Sequence, residues 1–314
     1  MTGNSELFIH ALETKNLELL KQVPKSDLHN HGPLGSRLSE LRKHTGKAIP
    51  PPPNSFVDIN DLNKYIFTHL KEYIVSKDGR ELAMKLAFMQ AKEDGVSKLE
   101  MSIDCLFLLF NEFDVAAFGQ FLIDTHQSVA PEIDYNPEIG FARDMDVKDA
   151  ERTIIPLIES GYFKSIDLYG NELVKDAKEY INIYRTAEKY NLKLKAHSGE
   201  FGSAESVRET IELLHLNEVQ HGISIADDKE VMNWVRNNNI RLNVCPSSNV
   251  ILGRSKDIAN HQARVLYDNG VDITINSDDI ILFNQSVSEE YLNLYTAGTF
   301  TASELNIIRE RGLN

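Results

Sequence analysis

Short runs of β-branched and aliphatic residues alternate with longer helical patterns along most of this chain. Eight such runs stand out: Lys25–Leu28, Lys98–Ile103, Glu138–Ala142, Ser165–Leu168, Leu192–Ala196, Glu218–Gln220, Ile240–Val244 and Val271–Asn276. Each ends near Gly, Asp, Asn or Ser, as strands do. Helical periodicity fills Asn63–Asp94, Asp146–Ser160, Asn171–Tyr190, Ser203–Leu214, Asp227–Asn237 and Asn260–Asn269. Gly95, Gly161 and Gly270 stand where helices should stop, in the place of C′ glycines. Strands separated by helices imply a parallel sheet. Eight units imply that the sheet closes, so the expected fold is α/β, a (β/α)8 TIM barrel.

With 314 residues the chain is expected to form a single barrel domain over 1–314. Residues 50–94 exceed what one crossover needs. They start at Pro50-Pro51-Pro52-Pro53, which cannot be helix interior. This segment is expected to add a helical lid over the C-terminal face of the barrel. The formal net charge of −14 argues against a nucleic-acid or anionic-membrane surface, which needs clustered Lys and Arg. Two cysteines, Cys105 and Cys245, imply no disulfide framework. No signal-peptide pattern opens the chain and no apolar run is long enough to span a bilayer. A cytoplasmic protein is expected, monomeric or homodimeric. The stretch Cys105–His126, rich in Leu and Phe (Leu109, Phe110, Phe113 and Phe118 among them), is expected to be core or subunit contact.

In a parallel barrel the chemistry gathers at the C-terminal ends of the strands. His29-Asn30-His31 follows the first run, and residues two apart on an extended segment point the same way. His197-Ser198-Gly199-Glu200 follows the fifth, His221-Gly222 the sixth, and Ser277-Asp278-Asp279 the eighth. These are residue types that bind zinc or move protons. Singly, each has a plainer explanation. Glu200 suits the start of a helix, His221 suits a buried ring, and two aspartates suit a turn. Together, adjacent carboxylates at a buried mouth call for a positive partner such as a metal ion. His10, His44, His69, His126, His215 and His261 fall in helical or loop patterns and are read as ordinary histidines. Arg37 and Arg143 follow the first and third runs, where intramolecular pairing is expected ahead of contact with a phosphate.

The set Pro24-Lys25-Ser26-Asp27-Leu28-His29-Asn30-His31, His197-Ser198-Gly199-Glu200, His221-Gly222, Cys245-Pro246-Ser247-Ser248-Asn249 and Ser277-Asp278-Asp279 resembles the adenosine deaminase family of metal-dependent hydrolases. The order and spacing agree from about Val23 to Tyr291, and Ile166–Glu172 resembles the segment whose glycine lines the purine pocket. The resemblance implies one zinc ion held by His29, His31, His197 and Asp278. It implies Glu200 as the donor of a proton to purine N1. His221 would orient and deprotonate the attacking water or stabilise developing charge. Asp279 would hydrogen-bond the ring near N7, and Gly170 would offer a backbone contact to the base. The implied partner is a small purine substrate.

The chain departs from that pattern at Gly32-Pro33-Leu34-Gly35-Ser36. Neither Pro33 nor Leu34 can accept a ribose hydroxyl through its side chain. Adenosine is the expected substrate. Adenine, a 5′-modified adenosine, an N6-substituted AMP and another aminated heterocycle stay open, as does a barrel that keeps the site without turnover. No phosphate-binding loop, dinucleotide fingerprint, cytidine-deaminase signature or GxSxG elbow occurs.

Overall fold

The computed structural model describes residues 3–111 and 114–314. Eight strands form one sheet: β1 Lys25–His31, β2 Val96–Asp104, β3 Asp134–Ala142, β4 Ser165–Tyr169, β5 Lys193–Ser198, β6 Glu218–His221, β7 Arg241–Val244 and β8 Asp272–Ile275. They pair in chain order, each parallel to the next. The sheet closes on itself through the bridge between Asn30 and Asp278, where Asp278 N donates to His29 O at 2.9 Å. All eight expected runs overlap these strands, with Leu192, Ile240, Val271 and Asn276 falling just outside them. Gly95, Gly161 and Gly270 have φ of +70°, +75° and +76°, as helix-terminating glycines require.

The strands carry two unlike faces. Leu99, Met101, Ile103, Ile139, Phe141, Ile166, Leu168, Leu194 and Ala196 are buried in the main core, the layer between strands and helices. Their sequence neighbours meet across the barrel instead. Lys195 Nζ of β5 lies 2.5 Å from Glu100 Oε2 of β2 and 2.9 Å from Glu138 Oε2 of β3. Strands that are not neighbours can touch only through the interior, so the lower barrel is filled by ionic side chains.

Segment 50–94 divides in two. Helix Lys77–Glu93 sends Met84, Ala87, Phe88 and Ala91 into the main core, as a crossover helix does. The extra structure precedes it: helices Ile59–Tyr65 and Lys71–Val75, joined by a π-helical turn at Ile66–Leu70, together with helix Leu38–Thr45, which lies before the expected segment. Leu38, Phe56, Leu62, Ile66 and Leu70 share a second apolar cluster with Leu252, Ile281, Leu282 and Phe283. The last four follow β7 and β8, so the added helices pack on the C-terminal side of the barrel. Helix Asn171–Tyr190 is shorter than expected: residues before Ala177 form a loop, and helix proper runs over Ile181–Lys189. Of the Leu- and Phe-rich stretch, Phe107, Leu108, Phe118 and Leu122 are core, while Phe113 lies outside the described residues. Among the described residues no helix is long and apolar enough to cross a membrane.

Candidate active site

The residues expected to act together meet at the C-terminal mouth. His29 Nε2 and His197 Nε2 are 3.1 Å apart, and His31 Nε2 is 3.5 Å from Asp278 Oδ1. One nitrogen from each of His29, His31 and His197 can be chosen so that all lie within 4.8 Å of one another. Asp278 Oδ1 stands 3.8 Å from His29 Nε2, and its Oδ2 3.8 Å from His221 Nε2.

Local backbone geometry makes this convergence possible. β1 delivers His29 and His31 on one side of an extended strand. His221 and Asp278 end β6 and follow β8 with φ of +64° and +60°. Left-handed backbone at a residue with a Cβ is uncommon and strained, and it breaks the strand's alternation just where a side chain must turn into the mouth. Gly170, with φ of +91°, turns the chain after β4 in a conformation that a glycine adopts without steric cost.

The inner hydrogen bonds fix which ring nitrogens are free. His197 Nδ1 donates to Asp167 Oδ1 at 3.1 Å, and His29 Nδ1 donates to Asn243 O at 3.2 Å. A neutral imidazole with its proton on Nδ1 presents a bare lone pair at Nε2. Two such lone pairs therefore face each other across 3.1 Å with no proton between them. Burial, with the neighbouring histidines, pulls both rings well below the ordinary histidine range, so they are neutral near pH 7. That arrangement repels itself unless a cation sits between the nitrogens. Three imidazoles and one carboxylate suit zinc, and other divalent ions as well. The donor set fits a metal.

Glu200 and His221 form a second group beside the first. His221 Nε2 is 3.5 Å from Glu200 Oε1. Asn249 Nδ2 donates to His221 Nδ1 at 3.1 Å and approaches Glu200 Oε1 at 3.4 Å. This leaves the His221 proton on Nε2, facing Glu200 and Asp278. Burial, reinforced by Asp278 and Glu172, pushes the Glu200 carboxyl well above the usual range. Burial also lifts Asp279 to about 7, with Asp278 adding to it and His31 opposing. Asp279 Oδ1 is buried without a hydrogen-bond partner among the described residues.

Several participants were given no role of their own in the sequence reading, although Asn249, Asp167 and Glu172 lie within the family-like motifs. Asp167 and Asn243 set the ring tautomers, Asn249 orients His221, and Glu172 grips the turn bearing Glu200. Cys245 is buried with Sγ 3.3 Å from His29 Nδ1. Strand parity could have found Asp167, which lies two residues below Tyr169 on the inward face of β4. Arg143 and Arg37 are engaged within the chain. Arg143 Nη2 donates to His197 O at 3.1 Å, and Arg37 pairs with Glu289 and Asn284.

A family model described as adenosine deaminase matches residues 24–314. A putative adenosine/adenine deaminase of Treponema pallidum is 31% identical over 287 residues, covering 91% of this chain and 96% of that protein. Two solved structures share the fold at 20% identity and a TM-score of 0.80. One is an adenine deaminase from Arthrobacter aurescens, with 92% of each chain covered. The other is an amidohydrolase from Burkholderia ambifaria with bound Zn, covering 100% of this chain and 88% of that one.

Proposed function

Because the chain belongs to the adenosine deaminase family, we propose that it hydrolyses the exocyclic amine of a purine, converting adenosine and water to inosine and ammonia. The observation that carries this reading is the 3.1 Å approach of the His29 and His197 Nε2 atoms, whose Nδ1 atoms are engaged elsewhere, beside the buried carboxyl of Glu200. His29, His31, His197 and Asp278 would hold one zinc ion, a choice supported by the zinc in the Burkholderia structure. Such an ion supplies a water nucleophilic at neutral pH, lowering its pKa from ~15.7 to ~7.

The chain's own groups do the rest. Glu200 gives its proton to ring N1 as attack on the amino-bearing carbon breaks aromaticity. His221, held by Asn249 with its proton on Nε2, orients the attacking water and stabilises the charge that develops. Its proton placement favours this role over that of a base. Asp278, whose Oδ2 stands 3.8 Å from His221 Nε2, takes the water's proton and passes it to the amine, which leaves as ammonia. Asp279 meets the ring near N7 through its unpaired Oδ1, and the Gly170 backbone touches the base. The helices over 38–75 serve as a lid that keeps bulk water from the site, within a single barrel domain.

Adenine is the second reading. Leu34 joins the lid's apolar cluster, and Pro33-Leu34 present no side-chain acceptor to a ribose. A nucleotide fits less well, because Arg37 and Arg143 are already committed to partners in the chain. The test is a panel of aminated purines assayed for ammonia release, with metal content measured on the same sample. The expected result is about one divalent ion per chain and turnover of adenosine or adenine. Glu200→Gln should keep the metal and lose about 10²–10⁴-fold in rate. Metal-loaded protein that releases ammonia from no purine would overturn the proposal.

A further inference from the structure

Glu172 follows β4 in a loop, and its carboxylate receives three consecutive backbone N–H groups from the turn after β5. Oε2 accepts from Gly199 at 2.6 Å, and Oε1 accepts from Glu200 and from Phe201 at 2.8 Å each. Successive N–H groups aimed one way form a concave seat for an anion. Here the anion is a side chain from the neighbouring loop. The turn has little slack otherwise: Gly199 has φ of +77°, and a Cβ there would lie 2.4 Å from Val207 Cγ2. Gly202 is similarly confined, since its Cβ would meet Glu172 Oε2 at 2.7 Å. The middle residue of the gripped turn is Glu200, whose own carboxyl reaches His221 and Asn249.

We propose that Glu172 is a positioning residue for this deaminase, holding the backbone of Gly199–Phe201 so that the Glu200 carboxyl stands at the ring nitrogen it protonates. The proposal rests on the reading of Glu200 as proton donor. Glu172 itself touches no substrate. Charge-assisted bonds to backbone N–H groups are stronger than neutral ones, so an ionised carboxylate suits this task better than an amide. A glutamine at this position can accept from Glu200 and Phe201 through one oxygen, but its NH2 then faces the N–H of Gly199.

Beside Glu172 lies a cleft of about 250 Å³, lined by Arg143, Ser198, Phe201, Ser203 and Ser206 among others. Removing the carboxylate in Glu172→Ala joins its space to this cleft, which then has room for a small carboxylate ion. Added formate can occupy the vacated seat and take up the three N–H groups. A residue needed only for folding would not be replaced in this way.

The experiment compares wild type, Glu172→Gln and Glu172→Ala, each loaded with zinc. It measures kcat and KM on the best substrate, amide hydrogen exchange at residues 199–201, and rate against formate concentration. A misplacement of ~1 Å at a reacting group costs about 10²-fold, so a fall in kcat of that order is expected with KM nearly unchanged. Exchange at 199–201 should quicken, and formate should restore part of the Glu172→Ala rate. Wild-type kcat in both variants, or unaltered exchange at 199–201, overturns the proposal. If Glu172→Ala does not fold, Glu172→Gln decides by kcat and exchange alone. Should wild type itself release no ammonia, the deaminase reading fails, and exchange still judges the grip of Glu172 on the turn.

Discussion

His197 keeps its ring proton on Nδ1 because Asp167 accepts it at 3.1 Å, and that one bond leaves Nε2 free for a cation. Both groups are buried, so the bond is sheltered from competing water. Asp167→Asn keeps the shape but replaces the charged acceptor, and its amide can flip to present a donor to Nδ1. Metal affinity should drop about 10–100-fold, read by competition with a chelator, while the fold stays intact by circular dichroism. An unchanged affinity would show that the tautomer is fixed elsewhere. At this scale the sequence exposed what stands at strand ends: His29, His31, His197, Glu200, His221, Asp278 and Asp279 announce themselves by type and position. It hid the partners that aim them. Asp167 sits inside a strand and reads as one polar residue in an alternating pattern. Asn243 acts through its backbone carbonyl, which leaves no trace in residue identity.

The connecting elements carry a second layer of buried chemistry. Helix Pro246–Ile251 brings Asn249 to His221, and its start is held by Glu290, which accepts from Ser247 N at 3.1 Å. Burial lifts the Glu290 carboxyl to about 8. In the unfolded chain a glutamate titrates near ~4.3. Between those values the folded protein binds a proton that the unfolded chain has released. Stability from this group therefore falls as pH rises from roughly 5 towards 8, by at most about 1.4 kcal/mol per pH unit. Glu290→Gln removes the ionisation and keeps an acceptor for Ser247. The unfolding free energy of the variant, measured by denaturant titration across that range, should gain on wild type as pH increases. Parallel curves for the two proteins would refute the assignment. Elements of this kind were the hardest to see in advance. The helices after β7 and β8 span only Pro246–Ile251 and Ile280–Phe283, too short for periodicity to register. The helices over 38–75 were anticipated in part, by the four prolines and the length of the connection.

Across the whole barrel, the eight strands were legible for a reason that also concealed the interior. Each strand packs its apolar side outward against helices, and that aliphatic signal marks it. The inward side is polar, and alternation alone reads such residues as solvent-facing. Lys193 and Lys195 look like the wet edge of a strand, yet Lys195 is fully buried among Glu100, Glu138 and Glu218. Burial works against its charge, but the three glutamates outweigh burial and raise its pKa above the ordinary lysine value. Lys195 Nζ also donates to Leu28 O at 2.9 Å, one residue before His29. The ion network thus ties β2, β3, β5 and β6 to the base of the strand that carries the first two histidines. Lys195→Met would leave the glutamates facing one another in a closed interior, with Lys193 as the remaining cation. Breaking a buried pair by removing one partner costs about 3–5 kcal/mol. A fall of that size in the unfolding free energy is expected, and it should shrink when Glu138→Gln is added, because the uncompensated charge is then smaller. If the single variant is as stable as wild type, the interior charges are screened by water rather than by each other, and the barrel floor is wetter than its packing implies.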